Sequence, residues 1–300
     1  MSEPPVTNAF DAPGQWYRAS LHTHTTESDG AWSPQAVLDW HRAHGYQVVA
    51  LTDHDRITEA PPQPSVVEPV LVPLPGVEIS LGRSRQGSPI HLVAVGLNAP
   101  LADRPQSASE TLDWVWENGA FGYLAHPYWS GLSNEELAVL GSIRALEIFN
   151  TSANWENRKG EACAYWDDLL GRRQPAWGLA TDDSHWRDPD HGGGWVMVKA
   201  KQLTAAAVVY ALRRGLFFST NHPTIESIRW EGTRLWIRSS PVDSIYWIGA
   251  GRLGWSRHTP AGSQLSEAEF HVKGNPAWIR IEVCDDKGRR AWSNPIYASE

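Results

Sequence analysis

Cysteine is nearly absent: Cys163 and Cys284 are the only two in 300 residues, and they lie far apart. They form neither a disulfide framework nor a Cys-x-x-Cys motif. No apolar run approaches the roughly 18 residues of a membrane span, so none is expected. Basic residues are outnumbered, 26 Lys and Arg against 34 Asp and Glu, giving a net charge of −8. That balance argues against a general nucleic-acid surface, which needs clustered cations. No Walker loop or Gly-x-Ser-x-Gly elbow occurs, and the one Gly-x-Gly-x-x-Gly spacing, Gly249-Ala250-Gly251-Arg252-Leu253-Gly254, lies in a β-rich stretch with no helix after it, so a nucleotide-cofactor fold and a serine hydrolase have little support. Met1 to Gln15 is polar and Pro-rich without a signal-peptide pattern, and a soluble cytoplasmic protein is the expectation.

Tryptophan, by contrast, is abundant, with 17 in the chain. Core area and an aromatic pocket are both open uses for it. Between Tyr17 and Thr220, short apolar runs alternate with helical patterns. Strands are expected at Tyr17–His22, Tyr46–Thr52, Val70–Ile79, His91–Leu97, Phe121–Ala125, Ala145–Phe149, Ala176–Ala180 and Leu216–Ser219. Helices are expected at Ser33–His44, Ser107–Asn118, Asn134–Leu140, Asn154–Leu170 and Thr204–Arg214. This is the texture of parallel βα units, and their number suggests an α/β barrel. After Thr220 the pattern turns to short β-rich runs with Gly-containing turns, which reads as a small antiparallel, sandwich-like module. The expected division is residues 1–16 as an N-terminal extension, 17–222 as the barrel and 223–300 as the β module.

The segment Leu21-His22-Thr23-His24-Thr25-Thr26-Glu27-Ser28-Asp29-Gly30 follows the first strand. On an extended backbone a His-x-His pair points both imidazoles to one face. Converging imidazoles and a carboxylate suit a divalent transition metal. Further candidates recur at strand ends, where a βα barrel places its site: Asp53 and His54, Glu78, His126, then Asp183 and His185. His91 begins its strand rather than ending one. However, Leu81–Pro89 carries turn residues, and a hairpin there would set the start of that strand beside Glu78. A barrel interrupted by one antiparallel strand follows.

These motifs resemble the polymerase and histidinol phosphatase (PHP) family of metal-dependent hydrolases over roughly Tyr17 to Thr220. The resemblance rests on His22-Thr23-His24 with Ser28-Asp29-Gly30, Thr52-Asp53-His54-Asp55, Gly76-Val77-Glu78, His91, Ala125-His126-Pro127 and Asp183-Ser184-His185. Ala125-His126-Pro127-Tyr128-Trp129, Trp166-Asp167-Asp168, Gly192-Gly193-Gly194-Trp195 and Trp292-Ser293-Asn294-Pro295-Ile296 look most like the branch named for carbaryl-type carbamate hydrolases. The resemblance implies a distorted seven-stranded barrel with two or three divalent ions (Zn, Mn or Fe). It implies that His22, His24, Glu78 and Asp183 hold one ion. Glu78 would bridge to a second, held with His91 and His126. Asp29, His54 and His185 would hold a third. Some relatives have histidine where this chain has Asp29, and many have Asp or Asn where it has Ser20. The implied chemistry is hydrolysis of a small-molecule ester by a metal-bridged hydroxide. A phosphoester is the default substrate, a carbamate or carboxylic ester the alternative. A metal-stabilised binding module without turnover is the reading from another class.

Several residues keep two readings. Asp29 could ligate or simply shape the turn before Gly30. Asp53 could assist catalysis and orient a ligand, or bond backbone amides. His41 and His44 share a helix face but fall in its last turn, where a helix C-terminus favours them. Gly192–Gly194 could hold a phosphate or form a tight loop. Arg158 and Lys159 could meet an anionic substrate or lie on a solvated helix face. Trp129, Trp155, Trp186 and Trp195 divide between pocket and packing, with Trp129 taken as substrate-binding. His191 is a candidate for proton transfer.

Overall fold

A computed structural model describes residues 8–62 and 70–297. Residues 1–7 of the expected extension and 298–300 of the β module lie outside the described residues. Seven strands build the barrel: β1 (Gln15–Ser20), β2 (Val48–Leu51), β3 (Val72–Arg83), β4 (Pro89–Val95), β5 (Phe121–Leu124), β6 (Ala145–Asn150) and β7 (Trp177–Thr181). They pair in that order, parallel except for β4, which runs antiparallel to β3 and β5. The expected interruption by one antiparallel strand is therefore present. The ring closes just beyond the strand ends: His24 N donates to Ser184 O at 2.9 Å and Asp183 N to His22 O at 3.0 Å. Closure thus falls on residues of the His-x-His and Asp-x-His motifs themselves.

Strand alternation sorts the apolar residues into two layers. Ala19, Val48, Ala50, Val93, Val95 and Leu179 point inward, and α6 (Ala205–Arg213) packs Val208, Ala211 and Leu212 against that interior cluster. Val49 and Leu51 point outward beneath α1 (Pro34–Ala43), while α2 (Ala108–Glu117), α3 (Asn134–Leu140) and α5 (Cys163–Gly171) cover the far side. Serine starts three of these helices: Ser33 Oγ accepts from Ala36 N, Ser107 Oγ from Glu110 N, and Ser133 forms a reciprocal capping box with Glu136. Such caps satisfy amides that the helix leaves unpaired. The single helix expected over Asn154–Leu170 is two, α4 (Thr151–Asn157) and α5. Arg158 breaks them in the left-handed region at φ 63°, and Glu161 then bridges Phe149 of β6.

One strand escaped the sequence pattern. β8 (Trp195–Ala200) lies antiparallel on β1, and β9 (Phe217–Thr220) lies antiparallel on β8. Leu216–Ser219, expected among the parallel barrel units, thus leads away from the barrel. The remaining strands are β10 (Ile225–Glu231), β11 (Arg234–Val242), β12 (Ser244–Gly249), β13 (Gly254–His258), β14 (Leu265–His271), β15 (Trp278–Cys284), β16 (Arg290–Ser293) and β17 (Ile296–Tyr297). β10, β11 and β14 form a separate antiparallel sheet. β13-β12-β15-β16 continues through β9 and β8 into β1, with β17 on β15. Ile228, Leu235, Ile237 and Phe270 of the small sheet meet Ile245, Trp247, Ile281 and Val283 of the large one. The module is a sandwich whose larger sheet is continuous with the barrel. Two polar ties reinforce that continuity. Arg280, 2% exposed, grips Asp167 of α5 with two bonds of 2.9 Å. Asn294 accepts from Gly178 N of β7 at 3.0 Å and donates to Gly215 O at 3.2 Å and Phe217 O at 3.1 Å. Among the described residues no helix is long and apolar enough to cross a membrane.

Candidate metal centre

The barrel rim gathers the nine histidines and carboxylates in one place. His22 and His24 follow β1, His54 follows β2, His126 follows β5, and Asp183 and His185 follow β7. Glu78 lies inside β3, because that strand runs on past the rim into the hairpin. His91 pairs with Ser80, two places along from Glu78 on the same face, so its Nδ1 comes 2.8 Å from Glu78 Oε1. Asp183 takes φ 56° and His126 φ 26°. Left-handed backbone of this kind collects at functional sites, where the surrounding structure holds it.

The donor atoms fall into three groups. In the first, His22 Nε2 and His24 Nε2 are 3.3 Å apart. Glu78 Oε2 lies 3.3 and 3.1 Å from them, and Asp183 Oδ1 lies 3.2 and 3.1 Å. Those are five of the six edges of a tetrahedron. A regular tetrahedron of that edge has its centre roughly 2.0 Å from each corner, the length of a Zn–N or Zn–O bond. Glu78 Oε2 is buried without a hydrogen bond although His54 Nδ1 also stands only 3.2 Å away. Nitrogens and carboxylate oxygens crowded so closely around one point, with Glu78 Oε2 left unpartnered, have the arrangement of ligands around a cation. In the second group, the other oxygen of Glu78 faces His91 Nδ1 and, at 3.1 Å, His126 Nε2. Glu78 therefore offers one oxygen to each group. In the third, Asp29 stands 3.5 Å from His185 Nε2, 3.7 Å from His54 Nε2 and 3.6 Å from His24 Nδ1. His24 thus presents one nitrogen to the first group and the other to the third.

The electrostatics fit such a cluster. Burial alone would depress the His24 imidazole, but the Asp183 and Glu78 carboxylates facing its Nε2 lift it to about 9. His22 and His126 are raised in the same way, against burial, by Asp183, Glu78 and Glu147. Glu78 and Asp183 are held low, against burial, chiefly by His22. Facing carboxylates make a basin of negative potential that positive charge stabilises. The cluster is able to bind metal, and its mixed nitrogen and oxygen donors suit a transition ion.

Behind the donors lies a carboxylate the sequence reading missed. Glu147, 1% exposed, accepts from His22 Nδ1 and Thr181 Oγ1 at 2.7 Å each, and from His126 N and Asn150 Nδ2 at 2.8 Å each. Asn150 also reaches Asp183 Oδ2 at 3.2 Å. His22 is thereby turned with Nε2 toward the cluster, as a histidine ligand is turned by an outer carboxylate. His185 is set likewise, its Nδ1 donating to Asp183 O at 2.9 Å. A signal for Glu147 existed: a buried strand, Ala145–Asn150, tolerates an acid only where the acid is fully hydrogen-bonded.

Other expectations change. Asp53 does not face the cluster. It accepts from Thr25 N, Thr25 Oγ1, Ser28 Oγ and Thr58 Oγ1, so it shapes the loop carrying His24 and Asp29 and leaves no oxygen for proton transfer. His191 stacks on Trp186 at 4.9 Å, meets Trp40 edge-on and is not among the described residues lining the cleft. Arg158 is an exposed helix cap and Lys159 sits over Tyr128, neither of them lining the cleft. The helix break that diverts them comes at Arg158, where helical propensity does not foresee a left-handed residue. His41 is buried, and burial brings it down to about 3. It is a neutral packing residue rather than a charge at a helix end. Gly192, Gly193 and Gly194 donate their amides to Asp182, which burial raises to about 6, so their loop encloses the chain's own carboxylate.

The cluster opens into a cleft of about 650 Å³ lined also by Trp129, Trp155, Glu156, Arg187 and Asp188. Trp186 and Trp195 are packing residues, both buried. Arg187 went unnoticed in the sequence because it belongs to no motif.

No family model matches the chain, and no curated protein matches it. Solved structures do. A two-domain protein containing a predicted PHP-like metal-dependent phosphoesterase, from Bacteroides vulgatus, aligns with TM-score 0.51 and 16% identity over 91% of each chain. A proposed metal-dependent phosphoesterase from Bifidobacterium adolescentis aligns with TM-score 0.43 and 17% identity over 66% of this chain and 96% of its own. An amidohydrolase from Chromobacterium violaceum, with sulfate bound, gives TM-score 0.41 and 17% identity over 57% and 89%. At such identity the first of these shows a shared fold, which extends through the C-terminal sandwich.

Proposed function

We propose that the chain is a PHP-type metal-dependent phosphoesterase acting on a small-molecule ester. The observation that carries the proposal is Glu78, buried, with one oxygen turned to His22 and His24 and the other to His91 and His126. A bridging carboxylate of this kind builds a multinuclear site. His22, His24, Glu78 and Asp183 would hold one ion, Glu78, His91 and His126 a second, and Asp29, His54 and His185 a third. Bound divalent ions supply Lewis acidity toward water and toward the phosphoryl oxygen. The chain does the rest. Glu147 and Asn150 fix the orientation of His22 and Asp183, and Ser130 Oγ, 3.2 Å from His126 Nδ1, fixes His126. Trp129 and Trp155 wall the cleft, and Arg187 offers it a positive charge. An open cleft above the cluster favours turnover over a purely structural site, which would be closed and four-coordinate.

A second reading, hydrolysis of a carbamate or carboxylic ester, draws support from a cleft whose described lining has one Lys or Arg and two indoles. The test is a metal-reconstituted comparison of p-nitrophenyl phosphate, bis-p-nitrophenyl phosphate, p-nitrophenyl acetate and an aryl carbamate. The expected result is kcat/KM for a phosphate ester at least tenfold above both acyl substrates. The reverse order replaces phosphoester by acyl chemistry on the same site. No turnover of any of them with Zn, Mn or Fe overturns the hydrolase reading.

A further inference from the structure

We infer that the cleft selects a substrate with one anionic group on a flat, uncharged body, an inference that rests on the phosphoesterase reading. The rim of the cleft divides into two arcs of different chemistry. One follows β7 and returns to β1. There Arg187, the one Lys or Arg among the described lining residues, donates from Nη2 to Asp29 O at 2.6 Å. It forms no ion pair among the described residues. Its anchor holds the guanidinium beside the exposed end of the cluster, and its other N–H groups remain free. A guanidinium so placed suits one phosphoryl group, by paired hydrogen bonds to its oxygens.

The other arc follows β5 and β6. Trp129 stands edge-on to His126 with centroids 4.9 Å apart, and its Nε1 donates to Glu156 Oε2 at 2.7 Å. Trp155, its neighbour on α4, is 59% exposed and lines the same cleft. An indole left that open beside a pocket offers a flat apolar face, and aromatic groups stack on such faces. Glu156 adds a fixed negative charge to this wall, and exposed Asp188 adds another at the rim. A second anionic group on the substrate would meet carboxylates there, with no further Lys or Arg among the described lining residues to receive it. The two arcs together admit an aryl phosphoester and disfavour a nucleoside polyphosphate or an oligonucleotide.

The experiment titrates the full zinc-loaded chain with phenylphosphonate, methylphosphonate and 4-carboxyphenylphosphonate in a calorimeter, so that binding is read without turnover. Phenylphosphonate is expected to bind about tenfold more tightly than methylphosphonate, as aromatic burial and stacking supply. The carboxylated ligand is expected to lose most of that gain. Trp155→Ala should collapse the phenyl-to-methyl ratio toward unity. Glu156→Gln should narrow the gap between the phenyl and carboxyphenyl ligands. Arg187→Ala should weaken all of them by about tenfold or more. Equal affinity for phenyl- and methylphosphonate, or a full ratio in Trp155→Ala, overturns the aryl selection and leaves the phosphoesterase reading intact. Zinc-loaded protein that binds no phosphonate at all overturns the reading underneath.

Discussion

His22, His24, Glu78 and Asp183 present donor atoms 3.1–3.3 Å apart, whereas Asp29 stands 3.5–3.7 Å from the nitrogens around it. The difference follows from what stands behind each group. Glu147 and Asn150 brace His22 and Asp183 of the first four from within the barrel. Asp29 is 46% exposed at its side chain, and its carboxylate receives only a 3.3 Å bond from Ser28 Oγ besides its histidines. At the buried end the protein prepays the cost of bringing ligands together. At the exposed end a bound ion must pull its own ligands inward. Metal affinity should therefore grade from the barrel interior to its mouth.

Removing a buried ligand is the most severe way to test that gradient. Asp183→Ala or His22→Ala should abolish tight metal binding and lower kcat/KM by about 10³-fold or more, since neighbouring ions share their ligands. The fold should survive, because the apolar interior layer lies beneath these residues. Elemental analysis with circular dichroism checks both, and an active, metal-replete Asp183→Ala would refute the assignment. Glu147→Gln touches only the brace. It should cost about 10- to 100-fold in metal affinity with near-normal melting of the metal-free protein. A silent Glu147→Gln would show that the tight geometry does not depend on it. Asp29→Ala should remove one ion per chain, spare the others and lower activity by about tenfold. If it instead emptied the whole site, the gradient would be wrong.

The smallest effect concerns a buried histidine with no ion pair among the described residues. His41 stays neutral in the folded chain down to about 3, while an unfolded histidine takes up its proton near its ordinary 6.5. Below that value the unfolded chain binds the extra proton, so falling pH favours unfolding. The loss between pH 7.5 and 5.5 should be about 1 kcal/mol for this residue. His41→Leu, compared metal-free with the wild type by denaturant titration, should flatten the dependence by that amount. His22, His24, His126 and His185 are raised and oppose this trend, while half-buried His54 is lowered by burial and shares it in both proteins, so the difference between them isolates His41.

The candidate ligands were more legible in the sequence than their supports. His22, His24, His54, His126, Asp183 and His185 stand where a strand pattern stops, and a barrel puts its chemistry there. Even His91 was recoverable, once Leu81–Pro89 was read as a hairpin. Glu147 was hidden because it interrupts an apolar run without changing its period. β8 was hidden for a different reason: a loop rather than a helix joins it to β7, so the βα alternation gave no cue. Arg158 and Lys159 were misplaced because a single left-handed residue redirects the chain, and propensity does not foresee it. Gly192–Gly194 were read as a possible phosphate loop, since nothing in the spacing shows that Asp182 fills it.

The pairing of β9 with β16 bears on how the chain acquires its structure. Phe218, Ser219 and Thr220 find their partners in Ser293, Trp292 and Ala291. β1 finds β8 on the order of 180 residues downstream, and contacts so distant in sequence slow folding. Until Arg290–Ser293 arrive, β9 presents an unpaired edge, with Asn294 not yet closing the gap between β7 and β9. An open edge of that kind invites pairing with another chain. During synthesis the candidate metal ligands are therefore all made before the strand that seals the sheet beneath them, and through that interval the β9 edge stays open to such pairing.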